Sequence, residues 1–204
     1  LITATSDSHA PVVIEALRGL RRFKPPEARN RVAELAEKSP HPNIRWHAIR
    51  TLGYYREPTA AIIFAKGLND DDWLIREESI KGLLKITDYS IRFISIPYIL
   101  QALEDPSLNV KIATLKYLRI KDPRIYYKLS KILADAKDHQ QTLIEETLKA
   151  LKGYELDDPT KEKVIYYITN QNQDIRLAAY NVLVSQQQIS KQRKSTTRKK
   201  EIVQ

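Results

Sequence analysis

The stretch HPNIRWHAIRTLGYY at residues 41–55 decides the fold, because its spacing of residue types returns elsewhere in the chain. The same skeleton appears as DDWLIREESIKGLL at residues 71–84 and as NQDIRLAAYNVL at residues 172–183. Each copy centres on a small residue, and such centres recur every 31 to 35 residues, at Ala16, Ala48, Ser79, Thr114, Thr147 and Ala179. Recurrence at this interval indicates an array of stacked supersecondary units.

Apolar residues surround each centre at fixed offsets. The positions four before, one after and four after a centre share one side of a helix that turns about 100° per residue. The predicted stripe comprises Val12, Ile44, Ile75, Val110, Leu143 and Ile175, then Leu17, Ile49, Ile80, Leu115, Leu148 and Tyr180, then Leu20, Leu52, Leu83, Leu118, Leu151 and Leu183. Other apolar, helix-like stretches separate these helices, so each unit is predicted to be a helix pair that buries its stripe by stacking.

Proline and aspartate mark the predicted ends of the helices. Asp122, Asp158 and Asp105 each precede a proline, a pattern typical of an N-cap followed by the first helical turn. Pro97 lies inside a helical stretch, where it should kink the helix or mark a break.

The repeated skeleton resembles that of a known family. Residues 41–53 and the openings at residues 105–111 and 174–176 are similar to the short HEAT-like repeat, the kind found in phycobilisome lyases. The resemblance covers most of residues 10–189. It implies an all-α fold, an α-solenoid (a right-handed superhelix) of about five to six HEAT-like helix pairs. Residues 1–9 are predicted to be a linker, and the basic residues 190–204 a disordered tail.

Cations occupy a second column, three positions before each centre, inside the predicted buried arc. The column reads Val13, Arg45, Arg76, Lys111, Ile144 and Arg176. Because an unpaired buried charge is too costly to persist, each cation should meet a carboxylate or a carbonyl. The sequence suggests Asp72 for Arg76 and Asp174 for Arg176.

A third column, two positions after each centre, points about 200° round the helix from the stripe. By the resemblance, the second helices of the pairs line the concave side, so this column would form a basic row along a groove. Trp46, four residues before Arg50, would add an aromatic contact. Carboxylates three or four residues earlier on the helix leave a solvated face as the alternative. The candidate partner-binding residues are Arg18, Trp46, Arg50, Lys81, Lys116 and Lys149.

Catalytic and metal-binding patterns are absent from the sequence. None of the four histidines is four residues from another, and no nucleophile elbow, P-loop or dinucleotide fingerprint occurs. The acidic run at residues 69–73 is interpreted as helix capping. No cofactor, metal site or catalytic residue is therefore predicted.

The function predicted from these observations is a non-enzymatic scaffold or adaptor that binds another protein, one with an acidic segment, through the second helix of each repeat. A nucleic-acid-binding solenoid with a basic groove is the alternative, since the formal net charge is +9. A HEAT-like lyase or alkylpurine DNA glycosylase using Asp72, Trp73 and Trp46 is a minor alternative. The basic tail leaves an acidic membrane surface open as a further partner.

The compartment and the oligomeric state are not fixed by the sequence. Cysteine is absent, which excludes disulfides and thiolate chemistry. The chain opens on leucine and lacks methionine, so we interpret its start as trimmed. A cytoplasmic location is expected, with an exported or membrane-tethered form left open.

Overall fold

The computed structural model describes the backbone of residues 1–86 and 89–202, and the side chains of these residues except 89, 90, 92 and 192–202. Every regular element in this part of the chain is helical. The all-α prediction is therefore confirmed. The chain divides into two compact units, Leu1–Ile120 and Lys121–Gln204.

Unit one contains eight α-helices among its described residues, joined by short turns. Two of the later helices are preceded by 3-10 turns at Pro26–Ala28 and Pro58–Ala60. The helices are α1 (Ala10–Phe23), α2 (Arg29–Lys38), α3 (Pro42–Tyr55), α4 (Ala61–Gly67), α5 (Trp73–Lys85), α6 (Tyr89–Ile94), α7 (Ile96–Leu103) and α8 (Leu108–Tyr117).

The helices of unit one form two layers. The second helices α1, α3, α5 and α8 pack one on the next, and α2, α4 and α7 pack on α3, α5 and α8. Each added pair therefore covers the apolar stripe of the pair before it. This translational stacking is the architecture of an α-solenoid, as the period predicts.

Unit two repeats the arrangement with two further pairs. Its helices are α9 (Pro123–Asp135), α10 (Gln141–Leu151), α11 (Asp158–Tyr167) and α12 (Gln173–Ile202). Helix α9 packs on α10 and α11, and α12 packs on both α10 and α11.

The predicted stripe forms the core of both units. All six small centres are buried, each with at most 3% of its surface exposed. Val12 and Tyr180 depart from the prediction, because they are 41% and 59% exposed, and Leu183 is only partly buried. Val12 lies on α1 of unit one, and Tyr180 and Leu183 lie on α12 of unit two. On α1 the neighbouring Val13 is buried instead.

Two of the predicted caps are shifted along the chain. Asp122 caps α9 as predicted, but α11 is capped by Asp157, one residue before the predicted Asp158. Helix α8 has Ser107 at its N-cap, because the carboxylate of Asp105 is bound to Arg76. The predicted break at Pro97 is confirmed, since α6 ends just before it and α7 begins at Ile96.

The N-terminal residues correct the prediction of a linker. Thr3–Ser6 form a 3-10 turn that packs against α1, and Thr5 is buried. The guanidinium of Arg31 holds this turn by donating hydrogen bonds to Thr5 Oγ1 at 3.2 Å and to the Thr5 carbonyl at 3.0 Å. Residues 1–9 therefore belong to the first repeat.

The other predicted boundary, at residue 190, falls inside a helix. Helix α12 continues through the basic segment to Ile202. The side chains beyond residue 191 lie outside the described residues, so contacts of the tail with a partner stay a prediction.

Candidate functional site

The buried column of cations links successive repeats of unit one. Arg45 contacts Asp70 through two hydrogen bonds of 2.9 and 3.1 Å, and Arg76 contacts Asp105 through two of 2.8 and 3.0 Å. The hydrogen bond that Arg76 donates to Asp105 is the main cause of a raised pKa for Arg76, and the hydrogen bond that Arg45 donates to Asp70 raises the pKa of Arg45 in the same way. These bidentate pairs are structural, and they remove Arg45 and Arg76 from the accessible charge.

The partners of this column differ from the predicted ones. Asp72 does not bind Arg76 but caps α5, where Oδ1 accepts a hydrogen bond from the Leu74 amide at 2.9 Å. Arg176 donates to the carbonyls of Asn170 and Gln171, both at 2.8 Å, rather than to Asp174. The prediction of a carboxylate or carbonyl partner is correct for Arg45, Arg76 and Arg176, but the two partners that the sequence suggests, Asp72 and Asp174, are wrong.

The candidate binding residues lie on the second helices. The second helices of unit one each carry one of these cations: Arg18 on α1, Arg50 on α3, Lys81 on α5 and Lys116 on α8. Lys149 lies on α10 of unit two. Arg18 and Lys116 are exposed, whereas Arg50 is partly covered. The predicted direction of this column is therefore correct for its exposed members.

Carboxylates on the same helix neutralise three of these cations. Arg18 pairs with Glu15 at 2.5 Å and Lys149 with Glu145 at 2.5 Å. Lys81 contacts both Glu77 and Glu78, and its side chain is only 20% exposed. Burial alone would lower the pKa of Lys81, but the two glutamates outweigh burial and raise the pKa. Lys81 is thus less available to a partner than the sequence predicts.

Arg50 and Lys116 have no ion-pair partner within the part of the chain that the structure describes. The guanidinium of Arg50 lies over the Trp46 ring, 5.0 Å from its centroid. Trp46 is partly buried and also contacts the His47 ring edge-on, with centroids 4.6 Å apart. The aromatic and the cation predicted to act together are therefore in contact.

A row of alternating cations and aromatics crosses unit one near the C-terminal ends of its second helices. Arg21 lies 5.5 Å from the Tyr54 ring, and Lys85 lies 5.5 Å from Tyr54 and 5.3 Å from Tyr117. We call Arg21, Tyr54, Lys85 and Tyr117 the cation–aromatic row. Sequence reasoning missed it, although residues 54 and 85 both lie six positions after a repeat centre.

In unit two, the same outward column lines a groove between α10 and α12. Lys149 and Asn181, which both lie two positions after a centre, face a cavity of about 370 Å³. Glu145 and Asp174 line the same cavity, so its charge is mixed.

Comparison with known proteins agrees with this architecture. Residues 1–84 match the family model for HEAT repeats. Residues 1–84 therefore carry HEAT repeats. A search of curated proteins finds no match.

Solved structures extend the likeness beyond the matched segment of the HEAT repeats. Two engineered proteins of the Northeast Structural Genomics Consortium give TM-scores of 0.62 and 0.64 at 13% and 14% identity. The matches cover 92% and 90% of this chain, and 95% and 96% of the engineered ones. At this identity the likeness concerns the fold alone.

A natural protein of known structure is similar over a comparable length. The complex of CpcE and CpcF of phycocyanin lyase from Nostoc sp. PCC7120 gives a TM-score of 0.46 at 14% identity, with 90% of this chain and 92% of that chain covered. A score below 0.5 supports no argument about the HEAT repeats of this chain.

The residues of the catalytic alternative are spread over the HEAT repeats in other roles. Asp72 is occupied as a helix cap, Trp73 is 38% exposed at the start of α5, and Trp46 lies on α3 beside Arg50. Within the described ranges, no three histidines or carboxylates are grouped as metal ligands. In the same ranges, no helix has both the length and the apolar character to cross a bilayer.

Proposed function

We propose that this chain is a non-enzymatic HEAT-repeat scaffold, and that the second helices of unit one hold an acidic segment of another protein. The observation that carries the proposal is the group of cations on this layer with no carboxylate partner among the described residues. They include Arg21, Arg50, Lys85 and Lys116, one on each of the second helices α1, α3, α5 and α8. Stacking of these helices presents several cations along one layer to an extended ligand.

Aromatic residues beside these cations favour a protein as the partner. Tyr54 is 44% exposed between Arg21 and Lys85, and Trp46 lies under Arg50. Aromatic and arginine side chains are enriched at the centres of protein interfaces, where they combine apolar area with hydrogen bonding. A face that contacts only solvent requires neither exposed aromatic side chains nor cations that lack a carboxylate partner.

The test is binding of a fluorescein-labelled polyglutamate peptide, followed by anisotropy. The variant Arg50→Glu with Lys116→Glu should weaken binding at least about tenfold, since two favourable charge contacts become repulsive. The matched control is Lys38→Glu with Lys66→Glu, which makes the same change of charge on the first helices α2 and α4 and should have little effect. Equal losses in both variants would reduce the proposal to non-specific attraction.

A single-stranded oligonucleotide in the same assay tests the alternative function. Contact with several phosphates makes the logarithm of affinity fall with the logarithm of salt concentration by about 0.7 for each phosphate. Tighter binding of the oligonucleotide than of the peptide, with that salt dependence and the same loss in Arg50→Glu with Lys116→Glu, would replace the protein partner by nucleic acid.

A further inference from the structure

The junction between α1 and α3 brings nitrogen-bearing side chains of two repeats together. The hydroxyl of Thr51 donates to the Leu17 carbonyl of α1 at 3.2 Å and to the His47 carbonyl of its own helix at 2.7 Å. Residues 47, 51 and 54 are spaced by four and three, so they share one side of α3. The contact of Thr51 with Leu17 turns that side towards α1.

Positive charge accumulates at this junction. Helix α1 contributes Arg18 and Arg21, and α3 contributes Arg50 next to His47. Burial, followed by the charges of Arg18, Arg21 and Arg50, lowers the pKa of His47, so the imidazole is neutral at pH 7. The carboxylate of Glu15 opposes this lowering of the His47 pKa, and it is bound to Arg18.

Two buried polar atoms at the junction have no hydrogen-bond partner within the described part of the protein. They are Nη1 of Arg21 and Nδ1 of His47, and His47 is only 9% exposed. A buried polar group without a partner costs about 1–3 kcal/mol, and more when it is charged. Each atom lacks a hydrogen-bond partner, which an anionic oxygen that reaches the junction would supply.

We propose that this junction, lined by Arg18, Arg21, His47 and Arg50, is a pocket that binds one carboxylate of the acidic segment. The inference rests on the proposed function and adds a defined anchor point to it. On binding, Arg21 donates a charge-assisted hydrogen bond to the carboxylate. His47 donates from Nδ1, which favours the imidazolium, because the carboxylate offsets the arginine charges around the ring.

The remaining cations of the layer determine the course of the segment. Tyr54 separates Arg21 from Lys85, and Lys85 also contacts Tyr117 on α8. A chain anchored at the α1–α3 junction can therefore place later carboxylates near Lys85 while its apolar parts cover Tyr54. The complementary charge and the spacing along successive helices select an extended acidic peptide as the occupant.

The experiment follows the His47 ring resonances of the full chain by NMR as pH is varied, with and without polyglutamate. Bound peptide should raise the pKa of His47. The variant Arg21→Gln should weaken binding of the peptide about tenfold and abolish the rise in the pKa of His47, since one charged hydrogen bond is lost. Its control, Lys116→Gln, removes one charge from the same layer and should also lower the affinity, but peptide at saturation should still raise the pKa of His47. Circular dichroism tests whether Arg21→Gln is folded. Arg50→Gln, which removes another cation of the pocket, serves as a second variant.

The outcomes separate the pocket from the proposed function. If the peptide binds but the pKa of His47 does not move, or if saturating peptide raises that pKa to the same extent in Arg21→Gln and Lys116→Gln, the pocket is wrong and the scaffold stands. If the peptide does not bind, yet acetate raises the pKa of His47 in an Arg21-dependent way, the pocket is supported and the scaffold is not. A rise caused by inorganic phosphate but by neither polyglutamate nor acetate would contradict the assignment to a carboxylate.

Discussion

At the scale of the residue, Arg76 shows what a repeat can and cannot reveal in advance. Its position three before a repeat centre predicts a covered cation with an anionic or carbonyl partner. The partner itself, Asp105, lies 29 residues away in the next repeat. Helix geometry within one unit predicts the direction of a side chain. It does not predict how two packed repeats are offset, and this offset places Asp105 rather than Asp72 against the Arg76 guanidinium.

The pair of Arg76 with Asp105 should stabilise the stack of repeats. Asp105→Asn keeps an oxygen to accept the Ser107 amide, yet leaves Arg76 without its counter-charge. We expect a loss of about 3 kcal/mol in the free energy of unfolding, since the remaining charge is largely buried. Urea denaturation measures it, with Arg124→Gln at an exposed pair as the control, where no measurable loss is expected. An unchanged midpoint in Asp105→Asn would contradict a structural role for the pair.

His47 predicts how stability depends on pH. Its pKa is lowered in the folded state, so below about pH 6.5 the unfolded chain takes up a proton that the folded chain resists. The free energy of unfolding should therefore fall on acidification, and His47→Gln should lose part of that dependence. Denaturation at about pH 7.5 and about pH 5 measures this. The exposed His139→Gln is the control, and identical pH dependence in wild type and His47→Gln would refute the prediction.

At the scale of the element, the apolar stripe was predictable because it follows from local periodicity alone. The ends of the helices were less so. The N-cap positions are held by Asp157 and Ser107, one and two residues from the predicted Asp158 and Asp105. The contacts of Gly53 and Gly82 with neighbouring helices also escaped prediction, because they depend on how the repeats pack.

These two glycines provide a matched test of how the helices pack. A Cβ on Gly82 would lie 2.5 Å from the buried ring of Phe64, whereas a Cβ on Gly53 would lie 3.6 Å from Gly82 Cα. Gly82→Ala should cost about 1–3 kcal/mol through overpacking. Gly53→Ala should gain up to about 1 kcal/mol from helix propensity. Thermal melting measures the change in stability of both variants. Equal changes would contradict the close contact between Gly82 of α5 and the Phe64 ring of α4.

At the scale of the whole molecule, the period of the sequence predicts the solenoid but leaves its surface largely open. The exposure of Arg18 and Lys116 follows from a helical wheel. The capture of Lys81 by two glutamates and the contact of Lys85 with Tyr54 and Tyr117 do not, because they depend on side-chain conformation and on neighbouring repeats. The fold alone therefore does not assign a function, since one fold of this type can host many roles.

The central claim is that the second helices of unit one form the binding face. Photo-crosslinking tests it most directly, with a polyglutamate peptide that carries a photoreactive group and mass spectrometry to map the modified residues. The account predicts cross-links on α1, α3, α5 and α8, concentrated around Arg21, Arg50 and Lys85. Cross-links confined to α2, α4 and α7, or to the basic segment beyond residue 190, would contradict it.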